Sequence, residues 1–413
     1  MTLPEYHNTG LIQPVKEMIN VLIVSHYWTP HVGGVEVVAN KQANYLASHG
    51  CSVSVLTSSA GCKGTEHDPE NISVERIKVF NWLERFGIPY PIFSVKLLLK
   101  TCQMVKNADV LIIHDSVYMN CALATIIGKL QNKPSVLIQH SPYVKYKFPW
   151  GFIKWCADRS LGKITYSLST TLCAVSQYTF CFMRQFVKDR EVKILHNGVS
   201  LSKFSVPTPV KSIKNLREKL LINDDQFVVL SVRRLVERNG LDLLIECARK
   251  LKTTNNISFV IVGDGPLRAD ILAQIDKYRL NNVHLAGFVK DSELARYYHM
   301  CDLYVLPSVS GEGFGLTVLE SFACSKPVIT FSGFGPDDII DDCLNGFLLD
   351  QMDAVTLSEK ILYLFENSDV VDRMAENAIK KARIMTWDVN GRKLLRIIQD
   401  TLVKKNNASR ELI

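Results

Sequence analysis

The sequence predicts an α/β protein of two domains, each a parallel sheet flanked by helices, the two facing each other across a cleft. Three observations predict it. Short β-rich runs alternate with amphipathic segments, the pattern of parallel strands joined by helices. The alternation restarts after a polar linker. And 413 residues, 47% of them hydrophobic, are more than one core normally organises.

In chain order, "NVLIVSHYW" reads as a strand, "VEVVANKQANYLASHG" as the helix after it, and "CSVSVLTS", "ADVLIIHDS" and "PSVLIQHS" as further strands. The stretch "HNGVSLSKFSVPTPVKSIKNLREKL" is rich in Ser, Pro and Lys and places the linker near residues 198–212. The second series follows as "FVVLSVRRL", "ISFVIVGDG", "NVHLAGF", "DLYVLPS" and "PVITFSG", each trailed by a helix-like segment. "WDVNGRKLLRIIQDTLVKK" reads as a final amphipathic helix and "KKNNASRELI" as its frayed end. In open parallel sheets ligands sit beyond the carboxyl ends of the strands, so the chemistry is expected in the cleft.

Composition narrows the function. No apolar run approaches the ~18 residues that cross a bilayer, and "MTLPEYHNTG" lacks the basic and apolar regions of a signal peptide; a cytoplasmic protein is expected. The eleven cysteines are odd in number with no C-x-x-C pair, which reads as reduced, mostly buried thiols. Residues 1–200 hold 20 Lys/Arg against 13 Asp/Glu, whereas residues 201–413 hold 28 of each. That excess fits an anionic substrate or a membrane surface, and equally a solvated basic face. It is modest, and no recognition motif accompanies it, so no nucleic-acid partner is expected.

The segment "GEGFGLTVLE" carries the strongest chemical signal. A strand and loop lead into it and a helix leads out, so Gly313, Phe314, Gly315 and Leu316 lie around a helix start, where free amides and the helix dipole suit an anion. Glu312 lies on the loop, and Glu320 more than a turn inside the helix. Eight helical steps would span about 12 Å, beyond the ~5–9.5 Å of a glycosidase carboxylate pair. Two carboxylates at different depths beside a phosphate site suit a sugar nucleotide. "HYWTPHVGGVEVV" places Gly33 and Gly34 at a second strand-to-helix turn, a pattern that is also ordinary punctuation. Neither it nor "VGDGPLR" matches Gly-x-Gly-x-x-Gly, and no Walker sequence occurs. Arg233 and Arg234 follow a strand and could grip a phosphate, although a surface pair is the commoner use of arginine. His114 and His140 each end a strand, without the spacing of a metal cluster.

Together these residues resemble the retaining glycosyltransferases of the GT-B fold, in particular family four. The resemblance runs from "PHVGGVEVV" through "HNGVSLSKF", "RRLVERNGLDLL" and "VGDGP" to "EGFGLTVLESFACSKPVI" and "GFLL". It implies two Rossmann-like domains: an acceptor-binding one over 1–200, completed by a helix at about 386–413, and a donor-binding one over 201–385. It implies that Glu312 contacts the hydroxyls of the donor sugar, amides at Phe314 and Gly315 hold the sugar and diphosphate, and Glu320 binds the ribose. Arg234 would neutralise the diphosphate, Gly33 and Gly34 would line the donor site, and His140 would sit beside the transferred sugar. The implied reaction is metal-free, cofactor-free transfer from a UDP- or GDP-sugar to a glycan or lipid-linked acceptor, with retention at the anomeric carbon. This chain departs from the family in one place. Where Arg-x-x-x-x-Lys-Gly is usual, Asn239 precedes Gly240, and the neighbouring Arg233 and Arg238 are candidates to compensate. The departure keeps open a non-catalytic sugar-nucleotide-binding protein, and a GT-B sugar-nucleotide epimerase is a further alternative.

The first domain should select the acceptor. Its segment Ser141 to Lys163 carries Lys145, Lys147, Lys154, Arg159 and Lys163 against Asp158 alone, interleaved with six aromatics from Tyr143 to Trp155. This composition fits peripheral contact with an anionic membrane. It fits equally an aromatic acceptor pocket or a core helix. "NWLERFGIPYPIFSVKLLLK" is a second candidate surface.

Overall fold

The structure, a computed structural model, describes residues 18–31, 33–60, 71–80, 82, 90–142, 150–254 and 256–410. Its first part contains β1 (Ile19–Val24), β2 (Cys51–Ser58), β3 (Ile72–Ile77), β4 (Val79–Phe80), β5 (Ile92–Phe93), β6 (Val110–His114), β7 (Ser135–Gln139), β8 (Thr171–Ala174) and β9 (Val192–Ile194). Its second part contains β10 (Phe227–Val232), β11 (Ile257–Val262), β12 (Val283–Gly287), β13 (Leu303–Leu306), β14 (Val328–Phe331) and β15 (Gly346–Leu349).

Among the described residues these strands form a seven-stranded parallel sheet, β3-β2-β1-β6-β7-β8-β9, and a six-stranded parallel sheet, β12-β11-β10-β13-β14-β15. β4 and β5 make a small antiparallel pair. The central strands are mostly apolar because helices cover both faces: every residue of β6, β7, β8, β11, β13 and β14 is buried, the few polar ones such as His114 and Gln139 falling chiefly at strand ends. β3, β8 and β9 are strands that the apolar pattern alone did not single out. β3 and β9 lie at the sheet edges and are half-exposed in most positions, so their sequences, "ISVERI" and "VKI", lack the continuous apolar run.

Strand order reverses between β1 and β6 in the first sheet and between β10 and β13 in the second. The crevice outside the carboxyl end of such a reversal is where open α/β sheets hold ligands. Both crevices receive the residues singled out from the sequence. Gly33 and Gly34 follow β1, His114 ends β6 and His140 follows β7. Arg233 and Arg234 follow β10, and the Glu312 loop follows β13.

The final helix, Trp387–Arg410, returns to the first sheet's helix Gly34–Ser48. Gln42 Nε2 donates to Asn390 Oδ1 at 3.1 Å, and Thr171 and Thr401 share a hydroxyl hydrogen bond of 2.8 Å. It remains helical to Arg410 rather than fraying after Lys404, its i to i+4 ladder continuing through a polar end. Among the described cysteines none is paired; most are buried, and Cys156, Cys181 and Cys343 are exposed.

Candidate active site at the facing sheet ends

The second-domain half of the site is built on three loops. The first leaves β10 and is anchored from below, where Arg233 N donates to Val262 O at 2.8 Å and Leu235 N to Asp264 O at 3.0 Å. Gly263 makes this possible: its φ is +137° and a Cβ there would collide with the Arg233 carbonyl. "VGDGP" is therefore a support for the arginine loop and not itself an anion cradle.

Of the two adjacent arginines, only one faces inward. The Arg233 side chain is 5% exposed, and its Nη2 donates to Glu312 Oε2 at 2.9 Å and to Asn239 Oδ1 at 3.1 Å. Asn239 Nδ2 donates in turn to the Arg234 carbonyl at 2.6 Å. Arg234 is exposed and Arg238 half-exposed, and neither guanidinium has a partner among the described residues. The expectation that Arg233 grips the donor is thus corrected: it is an internal counter-ion, and Arg234 and Arg238 are the cations open to a ligand.

The second loop, after β13, carries Glu312, whose Oε2 also accepts from Ser308 Oγ at 3.1 Å. Gly315 leads into the helix Leu316–Ala323. Phe314 turns its ring inward, buried 6.0 Å from the His196 ring, so it offers the cleft its backbone and not its side chain. Glu320 lies in the helix, half-buried, its Oε2 accepting from the Tyr298 hydroxyl at 2.8 Å. Burial pushes its carboxyl up to about 7, against the opposing pull of the Tyr298 hydrogen bond and of Lys203.

The first-domain half is a buried histidine pair. Asp115, in a left-handed turn after β6, accepts from the amides of His140 (2.7 Å) and Ser141 (2.9 Å) and from Ser141 Oγ (2.8 Å). This clamps the end of β7 over that of β6 and brings His140 Nε2 to 2.9 Å from His114 Nδ1. Burial pushes His140 down to about 3 and His114 well below its usual value, so both rings are neutral and one nitrogen of the pair donates to the other. His26, stacked on Tyr118 at 3.6 Å, is held neutral by the same burial. Sequence inspection marked His114 and His140 separately as strand ends. Their pairing through Asp115 carried no signal, because the residues are 25 or 26 apart and meet only through adjacent strands.

The halves touch. Ser176 caps the helix Gln177–Arg184 and donates to Gly313 O at 2.6 Å. Asp338 Oδ2 accepts from Gln177 N and His196 Nε2, both at 2.8 Å. A Cβ on Gly313 would strike the His140 carbonyl, and one on Gly34 would lie 3.8 Å from Leu316 Cδ1. The Gly313 loop and the Leu316–Ala323 helix start therefore meet the His140 and Gly34 turns where the two sheets face each other, with Glu312 beside Gly313 and Glu320 further along the same helix.

Comparison with known proteins agrees with this geometry. Residues 32–203 match the family model described as Glycosyltransferase Family 4, and residues 212–381 match Glycosyl transferases group 1. The chain is 26% identical over 402 residues to the alpha-monoglucosyldiacylglycerol synthase of Acholeplasma laidlawii, covering 93% of this chain and 98% of that protein. It is 27% identical over 307 residues to the Campylobacter jejuni N,N'-diacetylbacillosaminyl-diphospho-undecaprenol alpha-1,3-N-acetylgalactosaminyltransferase, covering 73% and 79%. The structure of Anabaena HepE in complex with UDP superposes with a TM-score of 0.76 at 19% identity, covering 93% of this chain and all of that one. With both halves of the chain matched, in order, on two facing parallel-sheet domains, the protein belongs to the glycosyl transferases group 1 and family 4 glycosyltransferases and has the GT-B fold.

Proposed function

We propose that the protein transfers a sugar, with retention and without a metal, from a nucleoside-diphosphate donor to a glycan or lipid-linked acceptor in glycolipid or cell-surface polysaccharide synthesis. The observation that carries this reading is the arrangement of Glu312, Glu320, Arg234 and Arg238 at the second sheet's strand-order reversal, opposite His140. Glu320 at the deeper position suits the ribose hydroxyls and Glu312 those of the sugar. Arg234, Arg238 and the amides around Phe314 and Gly315 meet the diphosphate between them. A uridine donor is favoured because HepE structures contain UDP and UDP-glucose.

In the proposed reaction the bond between the anomeric carbon and the diphosphate oxygen breaks as the acceptor oxygen bonds to that carbon from the same face. The acceptor proton passes to the departing phosphate oxygen. Cations and amides stabilise the leaving charge, which is the main demand on such a site. The neutral His140 beside the sugar can donate or accept a hydrogen bond without adding charge.

The test is titration with UDP, GDP and their sugar conjugates, repeated with Glu320→Ala. One nucleotide should bind selectively, and the substitution should weaken it by about 10–100-fold, the worth of charge-assisted hydrogen bonds to hydroxyls. No selective binding by the folded protein would overturn the donor site. Binding with no transfer to any acceptor would favour the non-catalytic reading, and conversion of the donor without acceptor would indicate an epimerase.

For the acceptor side we propose work at the inner face of an anionic membrane. Phe152, Ile153 and Trp155 are exposed on the helix Trp150–Ala157, with Arg159 stacked 4.2 Å over the Trp155 ring and Lys163 exposed nearby. Val95, Leu98 and Leu99 are exposed around Lys96 at the start of the helix Lys96–Asn107. Tyr90 Oη donates to the Val117 carbonyl at 3.0 Å, and the Val117 side chain abuts Gly162, so both segments pack against the same buried residue. Lys154 is tied to Asp158 at 2.7 Å and is not among the free cations. Lys145 and Lys147, with Tyr143, Tyr146 and Phe148, lie outside the described residues. Among the described residues no helix is long and apolar enough to cross a membrane. Sedimentation with phosphatidylglycerol vesicles should fall on Arg159→Glu with Lys163→Glu; unchanged sedimentation would reject this surface.

A further inference from the structure

The unusual Asn239 and the buried Arg233 form one unit, and resting on the donor-site reading above, we propose that Arg233 is a positioning residue of that site. It neutralises and orients Glu312, and Asn239 is the residue that allows it to do so. The positive charge that the family pattern places at position 239 is here supplied from position 233.

The geometry is specific. Arg233 Nη2 lies between Glu312 Oε2 and Asn239 Oδ1, at 2.9 and 3.1 Å. Asn239, 9% exposed, spends its oxygen on Arg233 and its nitrogen on the Arg234 carbonyl. Only a side chain with both an acceptor and a donor can make that bridge. A lysine ammonium has three donors and no acceptor, so at 239 it could reach the Arg234 carbonyl but would face Arg233 as a second cation. Two adjacent cations sharing one carboxylate in a largely buried position repel and are desolvated together. Arg233 and a lysine at 239 therefore exclude each other, and either one alone leaves a single cation beside Glu312.

Neutralisation matters because Glu312 is an anion beside the place proposed for a diphosphate. Unpaired, it would oppose the ligand. Paired through Oε2 to Arg233 and Ser308, it is held in one orientation and its charge is cancelled. Arg233 Nη1 is buried without a hydrogen-bond partner among the described residues. An arginine that only braced the loop would gain nothing from keeping such a group desolvated.

The test is a coupling experiment with UDP and GDP as probes, read by titration alongside thermal melting. Arg233→Gln and Asn239→Lys should each weaken nucleotide binding by at least about tenfold, and the double variant Arg233→Gln/Asn239→Lys should return to within about threefold of the parent. Asn239→Asp separates charge from the acceptor role: it still accepts from Arg233 but loses the donor to the Arg234 carbonyl, so its melting should remain cooperative at a lowered midpoint while its added negative charge weakens binding at least about tenfold. Asn239→Lys binding as well as the parent, additive losses in the double variant, or Asn239→Asp binding unchanged would each overturn the proposal. A parent protein that binds neither nucleotide, or whose binding ignores Glu320→Ala, would instead sink the donor-site reading on which it rests.

Discussion

Glu320 should be visible in the pH dependence of donor binding. Burial raises its carboxyl to about 7, and the ionised form accepts from two hydroxyls through both oxygens with charge-assisted hydrogen bonds, about twice as strong as those of the neutral acid. Nucleotide affinity should therefore rise by about tenfold between pH 6 and pH 8, following the ionised fraction, and Glu320→Gln should flatten the profile. The linkage to stability has the opposite sense. A raised carboxyl means that the folded state holds its proton more tightly, so the contribution is complete below the ordinary value of 4.5 and is lost as pH rises through about 7. Thermal melting between those limits should fall more steeply with pH in the parent than in Glu320→Gln. His140, held neutral with its pKa at about 3, should add no titration to nucleotide binding above pH 5; in the melting curves it raises stability as pH rises from about 3 to its ordinary 6.5, and the comparison with Glu320→Gln cancels that contribution. At this scale the sequence singled out the glutamates and histidines as loop, helix and strand-end residues but could not rank Arg233 against Arg234. Adjacent residues leaving a strand point to opposite sides, and which side is inside depends on the partner loop.

At the scale of elements, the site depends on the junction of β10 with β11. The turn after β11 must pass against the Arg233 carbonyl with a left-handed backbone, and Gly263→Ala should cost at least about 1–3 kcal/mol from the backbone strain alone. Chemical denaturation should show that loss, with nucleotide binding weakened as the arginine loop shifts; an unchanged midpoint would mean that the turn is not a support. The central strands were legible because burial on both faces writes a continuous apolar run. "FVVLSV", "ISFVIV" and "VLIIH" are apolar but for Ser231, Ser258 and the terminal His114, which are themselves buried. Edge strands such as β9 are defined by the neighbour they pair with, so three half-buried residues carried too little pattern.

For the whole molecule, the domains are held closed at Gly313, where the glycine turn of one sheet lies on the His140 carbonyl of the other. Gly313→Ala should wedge the cleft open while leaving both cores intact. A larger radius of gyration in solution scattering, weakened transfer and a nearly unchanged melting temperature are expected; an unchanged radius would show that the contact is not what closes the cleft. The sequence by itself determined the parallel-sheet architecture, the presence of two series of strands and the glycine-rich turn with its two carboxylates after β13, since periodicity and turn chemistry are local properties of the chain. Only the tertiary structure decided which arginine faces inward, that Asn239 serves Arg233, that His114 meets His140 and that Gly313 closes on the first domain. Those outcomes rest on contacts between residues far apart in the chain, where burial and hydrogen-bond partners are set by packing rather than by neighbours in sequence.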